Sequence, residues 1–197
     1  MTSLGRNFWI GVFWGFTFFV VVSVGVLLIR QMSSKKPLLI NRKMEELLSL
    51  QRIPPTATLS IYDEASDWNL QALAGQKVVL ADFKGKVIFL NFWATWCGPC
   101  VAEMPAIQRL YDSLGTSGVE FLLVSDEPLD TLRSYARANH VRVPFYQTTV
   151  EVPAVFPVAG LPTTFIVNRE GIVMMKHVGG AEWDHPWIMK FLQELLR

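Results

Sequence analysis

The strongest constraint on this chain is a pair of cysteines placed directly after a strand-like apolar run. The run covers residues 87–93, and Cys97 and Cys100 are the only cysteines in the sequence. A buried strand that ends in C-x-x-C at a helix start is typical of a dithiol redox site. Free backbone N–H groups and the positive end of the helix dipole favour a thiolate at Cys97. Cys100 follows one turn later on the same face, close enough to form a disulfide.

Two plainer interpretations of the cysteine pair compete with this one. Half of a structural zinc site would need two further Cys or His ligands at suitable spacing. The three histidines, His140, His177 and His185, form no H-x-H cluster that would supply them. The cysteines could instead be isolated structural thiols. The context Trp-Cys-Gly-Pro-Cys at residues 96–100 favours the redox site over both.

An uncharged apolar run covers residues 8–29. As a helix, these residues would extend ~33 Å, enough to cross the hydrocarbon core of a bilayer. We therefore predict an N-terminal tail at 1–7 and a transmembrane anchor at 8–29. A cleaved signal peptide is the alternative, but it has a shorter apolar region, and residues 27–32 lack a small-residue cleavage pattern.

Charge outside this run is balanced. Arg6 is the only one of the 18 Lys and Arg before residue 30, which leaves 17 against 17 Asp and Glu. No basic stripe predicts nucleic-acid binding, and no acidic tail predicts disorder. The cations after the anchor, beginning with Arg30, Lys35 and Lys36, would place the rest of the chain in the cytoplasm by the positive-inside rule.

Residues 30–55 predict a stalk with a short amphipathic helix, and residues 56–197 alternate strand-like and helix-like segments. Strands are predicted at 57–62, 77–80, 87–93, 119–125, near Phe145, at 163–167 and at 172–178. Helices are predicted at 98–114, with a kink at Pro105, at 128–139 and at 183–196. This order predicts an α/β domain with a mixed central sheet flanked by helices.

Several motifs of residues 56–197 in combination resemble the thioredoxin superfamily. They are FWATWCGPC at 92–100, Pro105, Leu-Pro-Thr at 161–163, the turn at Gly171 and Val-Gly at 178–179. More narrowly, residues 84–105 and 160–171 are similar to the membrane-anchored TlpA/ResA-type thiol-disulfide oxidoreductases. The segment between Ser125 and Leu161 is similar to the αβ insertion of that subfamily. The resemblance implies a thioredoxin-like fold.

The resemblance also implies roles for single residues. Cys97 matches the exposed nucleophile, and Cys100 matches the buried resolving thiol. The resemblance implies no cofactor apart from the redox-active disulfide between them. Pro162 matches a cis-proline that faces the disulfide. Glu103 matches a glutamate that accepts a proton beneath the cysteines, with a solvated helix glutamate as the alternative. The residues implied to contact substrate are Trp96, Gly98, Pro99, Leu161 and Thr163.

The chain departs from ordinary thioredoxins at Asn91, where they carry a buried aspartate. Because an amide accepts no proton at neutral pH, Glu103 is the carboxylate left to assist the thiols. Trp93 is predicted as either the wall of the site or the core, and His177 as a structural residue of a strand.

The resemblance implies thiol-disulfide exchange, and the Gly98-Pro99 dipeptide resembles that of reducing thioredoxins. We therefore expect reduction of protein disulfides, in cytochrome c maturation or a related extracytoplasmic thiol pathway. The implied partners are a disulfide-containing protein substrate, an upstream thiol reductase and the lipid bilayer, with no nucleic acid. The resemblance implies a single-pass protein of the bacterial inner membrane, with the thioredoxin-like domain on the extracytoplasmic side. The charge distribution predicts the opposite orientation.

Two other functions share the fold. A Sco-type copper chaperone needs C-x-x-x-C and a distal histidine, for which His177 is the one candidate. A peroxiredoxin-like peroxidase is the second alternative, although its cysteine context differs from the one at Cys97 and Cys100.

Overall fold

The computed structural model describes residues 60–197. The predicted tail at 1–7, anchor at 8–29 and stalk at 30–55 lie outside the described residues and stay predictions. Within residues 60–197, no helix combines the length and apolarity needed to span a membrane.

The described part of the chain is an α/β domain. Its strands are β1 (Asn69–Ala72), β2 (Lys77–Val79), β3 (Val87–Phe92), β4 (Val119–Ser125), β5 (Phe145–Gln147), β6 (Thr163–Val167) and β7 (Val173–Val178). Its α-helices are α1 (Ile61–Ala65), α2 (Gly98–Leu114), α3 (Leu129–Ala138) and α4 (Pro186–Leu195), with short 3₁₀ helices at Leu80–Phe83 and Gly115–Ser117.

The seven strands form one mixed sheet in the order β2-β1-β5-β4-β3-β6-β7. Strand β4 pairs in parallel with β3 and with β5, and the other four pairs of neighbouring strands are antiparallel. Phe92 at the end of β3 pairs with Thr163 at the start of β6, which pairs with Val178 at the end of β7. The register therefore brings three distant segments together at the edge of the sheet where the cysteine motif begins.

Side chains of the central strands alternate between two core clusters, as expected for a sheet covered on both faces. Val87 and Phe89 of β3 point into a cluster covered by α2, α3 and α4. Ile88 and Leu90 point into the other cluster, which α1 and the loop around Phe156 cover. The prediction of a mixed sheet with flanking helices is confirmed, although three of the four described helices pack against the same face.

The predicted strand at 57–62 is wrong where the structure describes it. Residues 61–65 form helix α1, because Ser60 and Asp63 make a capping box. The Ser60 N–H donates to Oδ2 of Asp63, and the Tyr62 N–H donates to Oγ of Ser60. These bonds satisfy N–H groups that a helix start leaves free. The partner of β2 is instead β1, whose Asn-Leu-Gln-Ala pattern is short and only weakly alternating.

The final helix also begins later than predicted. Helix α4 starts at Pro186, after His185, whose imidazole accepts a hydrogen bond from the Trp187 N–H. Proline suits the first helical turn because its missing N–H would be free there anyway. Trp183 therefore lies in the loop before the helix, where its side chain turns into the core beneath the cysteine motif.

Candidate active site

Cys97 is the N-cap of helix α2, and Gly98 and Pro99 form its first turn. Cys97 and Cys100 are joined by a disulfide, with 5.2 Å between their Cα atoms. The Cys100 N–H donates to Sγ of Cys97 at 3.3 Å, so the sulfur takes the place of a polar capping side chain. A negative charge on this sulfur would be stabilised by the same N–H and by the helix dipole. The geometry suits Cys97 as the thiolate of the pair.

The two sulfurs differ in access to solvent. Cys97 is 5% exposed and Cys100 is fully buried, whereas Trp96 beside them is 73% exposed. Of the two cysteines, Cys97 is the one that keeps exposed surface, which suits it as the residue that meets a substrate. The predicted nucleophile is less exposed than expected, since most of its surface is covered in the oxidised state. Trp96, which directly precedes Cys97, is exposed, and its predicted contact with substrate stays a prediction.

The Leu161–Pro162 peptide bond is cis, as predicted. The Pro162 carbonyl accepts a 2.8 Å hydrogen bond from the Gly179 N–H, which ties the loop before β6 to the end of β7. Leu161 is half-buried and packs against both core clusters. The expectation that Thr163 contacts substrate needs correction, because its side chain is fully buried and its hydroxyl donates to the Gly160 carbonyl at 2.6 Å.

Glu103 is buried beneath the cysteine motif, with 4% of its surface exposed. Its Oε1 accepts a 2.9 Å hydrogen bond from Nδ2 of Asn91. Its Oε2 accepts from the backbone N–H of Ala181 at 3.0 Å and from the indole N–H of Trp183 at 2.7 Å. The alternative of a solvated helix glutamate is therefore wrong. Three donors from two segments, strand β3 and the loop before α4, hold one buried carboxylate.

Burial raises the pKa of Glu103 above its ordinary value, because the charged form loses its hydration. The bonds from Trp183, Ala181 and Asn91 act in the opposite direction and lower the pKa, since they favour the carboxylate. Burial is the largest effect, so the net shift is upward. A carboxyl with a raised pKa is closer to the pKa of a thiol, which suits it to exchange a proton with one.

A groove of about 470 Å³ opens beside the cysteine motif. It is lined by Pro99, Ala102, Glu103, Gly180, Ala181 and Glu182. A Cβ atom added at Gly180 would lie 3.3 Å from the Pro99 carbonyl oxygen, so the two walls approach closely at this point. The groove gives the buried carboxylate of Glu103 a route to the surface beside Pro99 of the cysteine motif.

Asn91 is fully buried, and its side chain is hydrogen-bonded to two neighbouring side chains. Its Nδ2 donates to Glu103 and to Oγ1 of Thr164, each at 2.9 Å. Its Oδ1 has no hydrogen-bond partner among residues 60–197. Rotation of this amide would present an acceptor to Glu103 in place of a donor, so Asn91 can serve either protonation state of the carboxyl.

Trp93 is a core residue and not a wall of the site. It is buried against Phe145 of β5 and Tyr135 of α3, with ring centroids 4.5 and 5.1 Å apart. Both partners belong to the predicted αβ insertion. The insertion thus covers the tryptophan that precedes the cysteine motif.

His177 packs edge-on against Trp183, with 5.5 Å between ring centroids. Burial lowers the pKa of its imidazole, and backbone hydrogen bonds at Gly180 and Gly179 act in the opposite direction. Within residues 60–197, no three His, Cys, Asp or Glu side chains cluster as metal ligands would.

Sequence reasoning missed two parts of this site. Trp183 was placed on a helix, and its hydrogen bond to Glu103 spans 80 residues of sequence. Glu127 was not singled out, although both its carboxylate oxygens bind Thr95, two residues before Cys97. The proline after Glu127 marks a helix start, but no local pattern indicates where the glutamate side chain goes.

Residues 61–176 match the AhpC/TSA family. Among curated proteins, the chain is 34% identical over 123 residues to the thiol-disulfide oxidoreductase ResA of Bacillus cereus, covering 61% of this chain and 71% of that protein. It is 36% identical over 120 residues to the thioredoxin-like protein YneN of Bacillus subtilis, covering 59% of this chain and 70% of that protein.

A solved structure with the same fold is a Chlorobium tepidum protein described as the thiol:disulfide interchange protein DsbE. It superposes with a TM-score of 0.60 at 26% sequence identity, over 68% of this chain and 96% of the other.

Proposed function

Because this chain belongs to the AhpC/TSA family and is a ResA-like thiol-disulfide oxidoreductase of the thioredoxin superfamily, we propose that it is a membrane-tethered reductase of protein disulfides. The observation that carries the proposal is the Cys97–Cys100 disulfide at the start of α2, in which Cys97 keeps a small exposed surface and Cys100 is fully buried. A disulfide-containing protein is the class of substrate that the family implies.

The reaction transfers two electrons from the reduced dithiol to the substrate. The Cys97 thiolate attacks one sulfur of the substrate disulfide, which breaks, and a mixed disulfide forms. The displaced substrate sulfur leaves as a thiolate and takes a proton. The Cys100 thiolate then attacks Sγ of Cys97, and the mixed disulfide breaks to release the second substrate sulfur. The protein is left with the Cys97–Cys100 disulfide seen here.

Glu103 is proposed as the group that takes the proton from Cys100. Cys100 is fully buried, and burial in apolar surroundings raises the pKa of a thiol. Resolution of the mixed disulfide therefore needs a nearby base. Glu103 follows Cys100 by one helical turn, is buried on the same side of α2, and has a raised pKa. The groove beside it supplies a path by which the proton can leave to solvent.

The reducing direction is proposed from the residues between the cysteines. Gly98-Pro99 resembles the dipeptide of reducing thioredoxins, and no histidine is present there to stabilise the thiolate further. By analogy with thioredoxin and glutaredoxin, the reduction potential should lie at about −200 to −300 mV. An upstream thiol reductase would have to return the protein to the dithiol form after each turnover.

Tethering is proposed from the sequence alone. The uncharged run at residues 8–29 would anchor the protein in the bacterial inner membrane as a single span, with residues 56–197 on the extracytoplasmic side. Cytochrome c maturation, where haem-binding cysteines must stay reduced, or a related thiol pathway is the proposed setting.

The reductase proposal is tested with the full chain in detergent, by reduction of insulin disulfides. We expect wild-type turnover, none with Cys97→Ser, and trapped mixed disulfides with Cys100→Ser. Equilibration with glutathione buffers measures the potential, and a value near about −120 mV would identify an oxidant. An active Cys97→Ser variant would overturn the whole assignment.

Topology needs a separate experiment. An alkaline phosphatase fused to the C-terminus should be active in cells if the domain is extracytoplasmic, and inactive if the charge distribution decides the orientation. Fractionation of the same cells tests the anchor, since the unprocessed chain should sediment with membranes.

A further inference from the structure

Glu127 lies between β4 and α3, and its carboxylate faces the cysteine loop. Oε2 accepts a 2.6 Å hydrogen bond from the Thr95 N–H, and Oε1 accepts a 2.6 Å hydrogen bond from the Thr95 hydroxyl. The Ser125 hydroxyl also donates to Oε2 at 3.3 Å. Helix α3 has no side-chain cap, so this carboxylate serves the neighbouring loop and not its own helix.

Thr95 is the midpoint of the loop that carries the nucleophile. On one side, Trp93 continues the sheet by donating its N–H to the Val124 carbonyl at 3.0 Å. On the other side, the Cys97 N–H donates to the Ala94 carbonyl at 3.2 Å, which closes a tight turn around Thr95. A displacement of Thr95 would therefore move the backbone of Cys97.

We propose that Glu127 is a positioning residue that holds Cys97 at the N-terminus of α2 for thiol-disulfide exchange. The inference rests on exchange at Cys97 and is independent of the direction of electron flow and of the role of Glu103. In this inference, the segment after β4 contributes to the chemistry without touching the reacting sulfurs.

The hydrogen bonds to Glu127 matter most when the disulfide is open. In the oxidised protein, the covalent ring ties Cys97 to Cys100 and so ties the loop to the helix. Reduction removes that link, and the thiolate must keep its place near the Cys100 N–H to be stabilised there. The bonds from Thr95 to Glu127 anchor the loop to the end of β4, a segment that the disulfide does not include.

Glutamine and leucine at position 127 separate positioning from charge. A glutamine amide can accept from the Thr95 N–H through its oxygen and donate to the Thr95 hydroxyl through its nitrogen, so it keeps both bonds and loses the charge. Leucine loses both bonds and the charge. The difference between Glu127→Gln and Glu127→Leu therefore measures the hydrogen bonds alone.

The experiment uses the full chain with both cysteines reduced. The rate of Cys97 alkylation by iodoacetamide across pH yields its thiol pKa, and the rate with oxidised glutathione measures exchange. We expect Glu127→Leu to slow exchange about tenfold, since small misplacements of reacting groups carry costs of this order or larger. We expect Glu127→Gln to stay within about threefold of wild type, and the Cys97 pKa to be higher in Glu127→Leu than in Glu127→Gln.

Equal rates and equal Cys97 pKa values in the two variants would overturn the inference, whatever their thermal stability. If Glu127→Leu does not fold, Thr95→Val and Thr95→Ser make the same comparison from the other partner. Valine removes only the hydroxyl bond and should slow exchange relative to serine, and equal rates would again overturn the inference. A wild-type protein without exchange activity would instead contradict the assigned activity itself.

Discussion

The indole N–H of Trp183 donates a 2.7 Å hydrogen bond to Oε2 of Glu103, across 80 residues of sequence. The bond joins the loop before α4 to the buried face of α2, directly below the cysteine motif. The carboxylate is also held by Asn91 of β3 and by the Ala181 N–H. A charge-bearing group at this depth costs folding free energy unless it is hydrogen-bonded, and here each carboxylate oxygen has a donor.

Replacing Glu103 by glutamine should slow disulfide exchange near neutral pH by about 10² or more, because general acid–base help is typically of that size. The apparent thiol pKa values should also fall, since a nearby negative charge is removed. The fold should survive, because the introduced amide can donate to Oδ1 of Asn91 after rotation of that side chain. Stopped-flow exchange and thiol titration measure both effects, and unchanged values would leave Glu103 without a role in catalysis.

Replacing Trp183 by phenylalanine should raise the pKa of Glu103 further. The indole N–H lowers that pKa by stabilising the carboxylate, and phenylalanine offers no donor. The limb of the pH–rate profile that reports the Glu103 carboxylate should therefore shift to higher pH. Trp187→Phe is the matched control, because Trp187 is a partly buried tryptophan of α4 that stacks on Phe191. Identical profiles for the two variants would count against the assignment of that limb to Glu103.

Stability should depend on pH through Glu103. Its folded pKa is raised above the unfolded value, so the folded state binds the proton more tightly. The stabilisation is fully present below about pH 4, near the unfolded pKa, and is lost as the pH rises through the folded pKa. Denaturant unfolding should show wild type gaining stability relative to Glu103→Gln between pH 7 and pH 4. A difference that is constant with pH would contradict the raised pKa.

An alanine at Gly180 should narrow the groove between Gly180 and Pro99 of the cysteine motif. The added Cβ would sit 3.3 Å from the Pro99 carbonyl and 3.9 Å from Oε2 of Glu103, contacts that small shifts can accommodate. We expect reduction of insulin to slow through a higher KM, while exchange with oxidised glutathione, a smaller substrate, changes little. Equal effects on both substrates would mean that the groove does not bind protein.

An alanine at Gly171 should destabilise the domain. Gly171 has φ +80°, and an added Cβ would clash with Oγ of Ser60 and would lie 2.6 Å from Cδ2 of Tyr62. Its carbonyl also accepts the Ile61 N–H at 2.8 Å, which docks α1 on the β6–β7 turn. Gly75, at φ +94° with open space around it, is the control for the backbone cost alone, about 1–2 kcal/mol. Thermal unfolding should show a larger loss for Gly171→Ala than for Gly75→Ala.

The parts of the fold that sequence predicted well are those with strong local patterns. The continuous apolar run of β3, the cysteine motif at the start of α2 and the Leu-Pro-Thr segment before β6 were all placed correctly. The strand predicted at 57–62 is wrong over the described residues, because the capping box of Ser60 and Asp63 starts helix α1 there. Strand β1 was missed because its four residues carry little periodicity, and it is held by pairing with β2 and β5.

The sequence by itself determined the chemistry of this protein. Two cysteines at a helix start permit dithiol exchange, because the spacing and the helix dipole are local properties of the chain. Only the tertiary structure decided which groups surround them. Trp183 and Ala181 donate hydrogen bonds to Glu103, and Thr95 donates to Glu127. These bonds join segments that are distant in sequence and become neighbours only when the sheet has formed. Such contacts depend on topology and register, and no local pattern of residues encodes them.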